Sequence, residues 1–334
     1  MGPGLTPLAR RRLELRRLGR MLLVMLVAFG AILGALFAYA GSATPLYVVE
    51  SSSMQHAPDA SSIGVLDTGD MFLAQVIHSR ADIVTYVEGR ARGYATYGDF
   101  GDVIIFVDPE LLSATPVVHR AMAWATWNAS AGGYDVPDLA LLPAGDWTGL
   151  DANGTVTTSP LGLSQFIVRR GGWDGTVNVS VDLAWINAQR GITPEGFLTF
   201  GDHNVYRSAV KHDPWVLPFP LVIGRARGEI PWFGLIKLTL APGPEGCCAG
   251  WGSTDLERGA PGNSWAALDV SLALLFGTPL AVSVAEWYLE RHPDRKERLR
   301  RGWSNVKGKI WPWSRAKAGE PSSSEDDSDP ERGS

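Results

Sequence analysis

Ser53 closes the run Val48-Val49-Glu50-Ser51-Ser52-Ser53-Met54. A serine hydroxyl becomes a nucleophile at neutral pH only beside a base that takes its proton. The chain has six histidines, and of these only His119 lies inside an apolar, β-type run, Pro116-Val117-Val118-His119-Arg120-Ala121. Such a run would hold an imidazole rigidly. A carboxylate is the natural third group, because it accepts the imidazole N–H, fixes its tautomer and stabilises the imidazolium. Gly201-Asp202-His203-Asn204 follows the β-type run Gly196–Phe200 and makes Asp202 the expected orienting acid. Asp213, in Lys211-His212-Asp213-Pro214, is its rival. Together these groups would perform acyl transfer. Each also has a plainer reading: Ser-Ser-Ser as a turn, a strand histidine as structural, Gly-Asp as a turn. The spacing of Asp202, His203, His212 and Asp213 matches no zinc signature, so neither a metal nor a cofactor is expected.

The elements that must carry these residues begin at a membrane. Residues 1–20 hold six arginines against one glutamate, a net charge of +5. Residues 21–41 follow without a charge, long enough at ~1.5 Å per residue to span the hydrocarbon core. A cleavable signal peptide has a shorter apolar stretch, so a retained transmembrane helix is expected. A second apolar run, Val270–Ala285, is flanked by Trp265 and Trp287 and contains Pro279; a second span is placed at 266–287. Residues 290–317 carry a net +7, and 319–334 read as an acidic, disordered tail. Basic residues next to a span resist translocation. Residues 1–20 and 288–318 are therefore expected in the cytoplasm, and 42–264 on the outer face. The formal charge of the whole chain is -5, and subtracting the ends leaves the middle acidic at -12, which argues against a nucleic-acid partner.

The exported portion is rich in β-formers and turn residues. Strands are expected at Leu46–Val49, Met71–Val76, Asp102–Val107, Pro116–Ala121, Gln165–Arg169, Thr176–Val181, Gly196–Phe200, Leu221–Gly224 and Leu235–Leu240, with one short helix at Val181–Arg190. Residues 128–162 are Gly-, Asp- and Ala-rich with weak periodicity and read as partly irregular. The adjacent Cys247 and Cys248 exclude a disulfide framework.

Taken in order, Ser52-Ser53-Met54, Asp67-Thr68-Gly69-Asp70, Gly101-Asp102-Val103-Ile104-Ile105-Phe106, His119-Arg120, Gly201-Asp202-His203-Asn204 and Ile230-Pro231-Trp232-Phe233-Gly234 resemble type I signal peptidases of the archaeal and endoplasmic-reticulum branch. The resemblance covers Val48 to Leu240. It implies a mainly β fold, a signal-peptidase-like β-barrel or sandwich ectodomain flanked by two transmembrane helices. It further implies Ser53 as nucleophile and His119 as general base, with an acid from the Gly-Asp block, Asp202, orienting the histidine. Implied partners are signal-peptide-bearing preproteins, membrane lipid and the protein-export machinery. Two features depart from the family pattern. Where members commonly carry a second aspartate after the Gly-Asp block, this chain has Ser208, and the next aspartate is Asp213. Residues 128–190 read as an insertion. The competing expectation is a catalytically inactive, membrane-tethered β-domain that serves as a binding or cell-surface module.

Overall fold

Apolar side chains all round a helix leave it no face to turn toward water, and the first element has that character. In the computed structural model, which describes residues 7–57, 59–112, 115–242, 247–248, 250–254, 259–295 and 297–298, helix α1 runs Pro7–Ala40. Leu22, Leu23, Val24, Met25 and Leu26 on it are all more than half exposed. The helix ends at Gly41, whose φ of 69° is the left-handed conformation of a helix C-terminus. The second long helix, α6 (Gly262–Arg291), contains Pro279. Leu18–Ala40 and Gly262–Arg291 are both long and apolar enough to cross a membrane. Residues 1–268 form one compact unit and 269–334 another. The expected acidic tail 319–334, most of the basic segment 288–318 and residues 1–6 lie outside the described residues.

Between the long helices the first unit is mainly an antiparallel sheet of eleven strands. In chain order its strands and intervening helices are β1 (Leu46–Val48), β2 (Met71–Gln75), α2 (Tyr86–Arg92), β5 (Val103–Phe106), β6 (Val117–Asn128), β7 (Gly133–Asp135), β8 (Trp147–Asp151), β9 (Val156–Thr157), β10 (Leu163–Gly171), β11 (Val177–Asp182), α3 (Leu183–Arg190), β12 (Glu195–Phe200), α4 (Asn204–Arg207), β13 (Val222–Ile230) and α5 (Gly234–Leu240). A separate two-stranded ribbon pairs β3 (Ala95–Thr96) with β4 (Asp99–Phe100). The main order is β1-β2-β13-β5-β6-β7-β10-β8-β9, with β12 on β6 and β11 on β10. Among the described residues the sheet does not close, so the expected barrel is replaced by an open, branched sheet with β1 at one end.

One expected strand is corrected. Leu235–Leu240 is helical, not a strand: Leu235 and Leu238, three apart, are buried while Leu240 is exposed, a helical spacing rather than an alternating one. Residues 128–162, expected to be partly irregular, hold β7, a short 3₁₀ turn at Pro137–Leu141, β8 and β9 with loops between them. These strands have two to five residues.

Residues 128–190 are not an appendage. Tyr134, Phe166, Val181 and Leu183 share one buried cluster with Met122 of β6 and Leu198 and Phe200 of β12. Phe166→Ala should therefore lower the stability of the whole unit, by about 3–5 kcal/mol, with one cooperative transition in urea. A separate early transition confined to 128–190 would contradict this shared core.

Candidate active site

Ser53 sits in a 3₁₀ turn, Ser52–Met54, closed by Gln55 N–H donating to Ser52 O at 3.2 Å. The turn is nailed down from below by Met54, 1% exposed, in a cluster with Val49, Leu66 and Phe72. Val49, just before it, exchanges backbone hydrogen bonds with Gly69 and Asp70, both 2.9 Å. Thr68 donates through its N–H and its hydroxyl to Gln55 Oε1, at 3.2 and 2.5 Å. Asp70 in turn accepts from Trp232 N–H at 2.8 Å. The Asp67–Asp70 block thus splices the serine turn to the Ile-Pro-Trp-Phe-Gly stretch. Burial pushes Asp67 up to about 6 and Asp70 up to about 8, against hydrogen bonds that pull both down. The Gly-Asp block meets the serine turn directly: His203 N–H donates to Ser53 O at 2.8 Å, and the His203 ring donates from Nδ1 to Gln55 O at 2.9 Å.

His119 and Arg120 are neighbours on β6, so their side chains leave opposite faces of the sheet. That alternation decides which acid each one meets. Arg120 is fully buried and forks onto Asp202, with Nε to Oδ1 at 2.7 Å and Nη2 to Oδ2 at 2.5 Å. His56 adds a contact to Asp202 Oδ2 at 3.1 Å and stacks on Trp173, ring centres 4.3 Å apart. His119 Nδ1 is instead 2.7 Å from Asp213 Oδ2. The expected pairing of His119 with Asp202 is thereby corrected to Asp213, because Asp202 is occupied by Arg120 on the other face. Asp213 is held by its own N–H to Thr199 O at 2.9 Å and by Thr199 Oγ1 donating to Oδ2 at 2.5 Å. His212, next in the chain, donates from Nδ1 to Asp213 O at 2.7 Å and accepts Asp182 N–H on Nε2 at 3.1 Å.

Burial disfavours charge on His119, but the Asp213 carboxylate, by its field and its hydrogen bond, outweighs it with help from Asp202, and the His119 pKa is raised. Burial likewise opposes ionisation of Asp213; the imidazole, by charge and hydrogen bond, together with Thr199 overcomes it, and its pKa is lowered. Both shifts describe one buried pair that favours imidazolium beside carboxylate.

With Nδ1 committed to Asp213, Nε2 is the nitrogen on the serine side. A Cβ placed on Gly201 would lie 2.6 Å from Ser53 O and 2.9 Å from His119 Nε2. The space between the two residues therefore admits glycine and nothing larger. Ser53 and His119 both line a cleft of about 540 Å³ whose walls also include the rest of 48–53, residues 115–118 and Asn204. Ser53 Oγ accepts a hydrogen bond from Ser51 Oγ at 3.2 Å, with none to His119, which leaves the Ser53 proton itself uncommitted. The segments 48–53 and 115–119 each include strand residues that are unpaired on one side among the described residues. β1 is the end strand of the sheet. On β6, Arg120 is paired on both sides, by β5 and β12, whereas Val117–His119 is paired only by β5.

The sequence singled out Ser53, His119, Asp202 and Asp213; the structure brings Ser53, His119 and Asp213 around the cleft and sets Asp202 on the buried side. Thr199 and Gly201 were missed as contributors, since a threonine in a strand and a glycine before an aspartate carry no signal until the fold places them. Asp202, His203, His212 and Asp213 do not converge, and among the described residues no group of three His, Cys, Asp or Glu could hold a metal ion. No family model matches this sequence, and none of the curated proteins does.

The two acids make opposite predictions. Asp213→Asn removes the group that fixes the imidazole; with Ser53 as a nucleophile it should cut turnover by roughly 10⁴-fold, and because the imidazole can shed its proton it should cost less stability than Asp202→Asn. Asp202→Asn leaves a buried guanidinium unpaired and should cost about 3–5 kcal/mol of stability. Thermal unfolding and turnover measured on both variants check the assignment; equal effects of the two on turnover in still-folded protein would refute it.

Proposed function

We propose that the chain is a membrane-bound serine endopeptidase of the type I signal peptidase kind, working on the outer membrane face with both termini in the cytoplasm. The observation that carries this reading is a His119–Asp213 pair whose imidazole lines the same cleft as Ser53. The order of motifs over Val48–Leu240 supports the family, and the two long apolar helices support the membrane setting.

In this reading a preprotein enters the cleft extended and adds its backbone to the free edges of 48–52 and 117–119. Val48, Val49, Val117 and Val118 line the cleft, and shallow apolar pockets among them would select small side chains beside the scissile bond. Ser53 rotates off Ser51 and attacks the carbonyl while His119 Nε2 takes its proton. Asp213 stabilises the imidazolium. The Ser53 N–H and the freed Ser51 hydroxyl bind the oxyanion, each worth about 3 kcal/mol. His119 then returns the proton to the leaving amine, and water repeats the cycle on the acyl-enzyme. No cofactor takes part. Ser53 follows α1 after one strand and one turn, so enzyme and signal peptide share the same thin layer, which raises their effective concentration. Preproteins, lipid and the export machinery are its partners.

One observation favours the alternative of an inactive tethered β-domain: Ser53 Oγ is bonded to Ser51, not to His119. Processing of a preprotein in membranes separates the two. Ser53→Ala and His119→Ala should each abolish cleavage; cleavage by either at the wild-type rate excludes the peptidase reading.

The pH profile carries a second expectation. A base must be unprotonated, and the His119 pKa lies above the usual 6.5. Turnover should therefore rise with pH through one ionisation above 6.5, and Asp213→Asn should move that limb to lower pH. The ion pair's contribution to stability runs the other way, complete below 6.5 and lost as pH passes the raised value. A limb below 6.5 in the wild-type chain contradicts the His119–Asp213 pairing as the base.

A further inference from the structure

Asn204, which lines the cleft, also lines a second cavity of about 400 Å³ that has Gly201 and Asp213 in its wall. Trp185 of α3 forms the outer part of this wall, together with Val210 and Pro214. Trp185 is 37% exposed, and its indole meets the His212 ring edge-to-face at 5.7 Å. His212 is itself locked by Asp182 N–H and Asp213 O, so the indole is braced by the same ring that braces the acid. The Lys211 ammonium is taken up by Val205 O. The cavity thus offers aromatic and aliphatic surface from Trp185, Phe200, Val210 and Pro214 next to the Asp213 carboxylate, whose negative charge disfavours an acidic side chain.

Its place beside Asp213 gives it a direction. Under the peptidase reading, on which this inference rests, His119 hands its proton to the departing amine. The chain beyond the scissile bond must then leave past the imidazole, and the imidazole is backed by Asp213. We propose that this second cavity is the subsite for the polypeptide segment following the scissile bond, and that it takes an apolar or aromatic side chain against Trp185. Residues 128–190 thereby acquire a role: the layer they form supplies, through α3, the leaving-side half of the cleft.

The test uses the full chain in lipid nanodiscs carrying Ser53→Ala, so that binding is read without turnover. Two sets of fluorescent peptides are titrated, one ending at the scissile residue and one beginning just after it with a free amine. Adding Trp185→Ala should weaken the second set about tenfold, the size expected for removing a tryptophan anchor, and leave the first within twofold. Trp185→Phe should restore most of the loss, and replacing the apolar side chain of the second set by aspartate should weaken binding to the parent protein. Equal weakening of both sets, no effect of Trp185→Ala in protein that melts normally, or no binding of the second set overturns the proposal. Cleavage of an intact preprotein by the chain with native Ser53 is measured alongside. A chain that does not cut removes the peptidase reading, whereas one that cuts yet ignores Trp185 removes only the subsite.

Discussion

A guanidinium with no access to water must find every partner inside the protein, and Arg120 is such a group. It does so by gathering two separate pieces of chain. Two of its nitrogens take the Asp202 carboxylate; Nη1 reaches the carbonyls of Thr96, Asp99, Phe100 and Gly101 at 3.0–3.1 Å. The β3–β4 ribbon and the Gly201–Asn204 block are thus tied to the centre of β6. A buried charge stripped of its partner is costly, so this knot holds the register of the pieces around it. Burial, and then the neighbouring Asp202 carboxylate, push Asp99 up to about 6, against the Arg120 charge that pulls it down.

The knot sits directly behind the cleft. Fixing Asp202 fixes Gly201 and His203, and His203 fixes the backbone of Ser53 and Gln55. The serine is therefore positioned from the far face of the sheet by an arginine that never touches it. On the near face His119 is left to a different carboxylate, delivered by the loop after α4 and clamped by Thr199 and His212. A strand that alternates its side chains has separated a structural ion pair from a chemical one at consecutive residues.

The layer of residues 128–190 enters this arrangement twice. Trp173, between β10 and β11, stacks on His56, which completes the partners of Asp202. The N–H of Asp182, at the start of α3, holds His212 and through it the Asp213 backbone. Both carboxylates near β6 consequently depend on a segment distant in sequence, and that segment cannot be deleted without loosening both sides of the sheet.

Much of this was legible in the residues themselves. The long apolar runs, eight of the nine β-type runs and the Val181–Arg190 helix follow from composition and from periods of two and 3.6, which act over a few neighbouring residues. Ser53 and His119 stood out because few side chains can do their chemistry, Ser53 for its place soon after the first apolar run and His119 for lying in a β-type run that would hold it still. The helix Gly234–Leu240 was hidden because Leu238 and Leu240 alternate with Lys237 and Thr239 as a strand would, and the strands of 128–162 were hidden among Gly, Asp and Ala residues that read as turns. The choice between Asp202 and Asp213 was beyond any local pattern. It was made by which face of β6 each carboxylate reaches, and that is fixed only when β12 pairs beside it and Arg120 is buried. Residue types thus determined what chemistry was available to this chain, while tertiary packing alone decided which carboxylate the imidazole would meet.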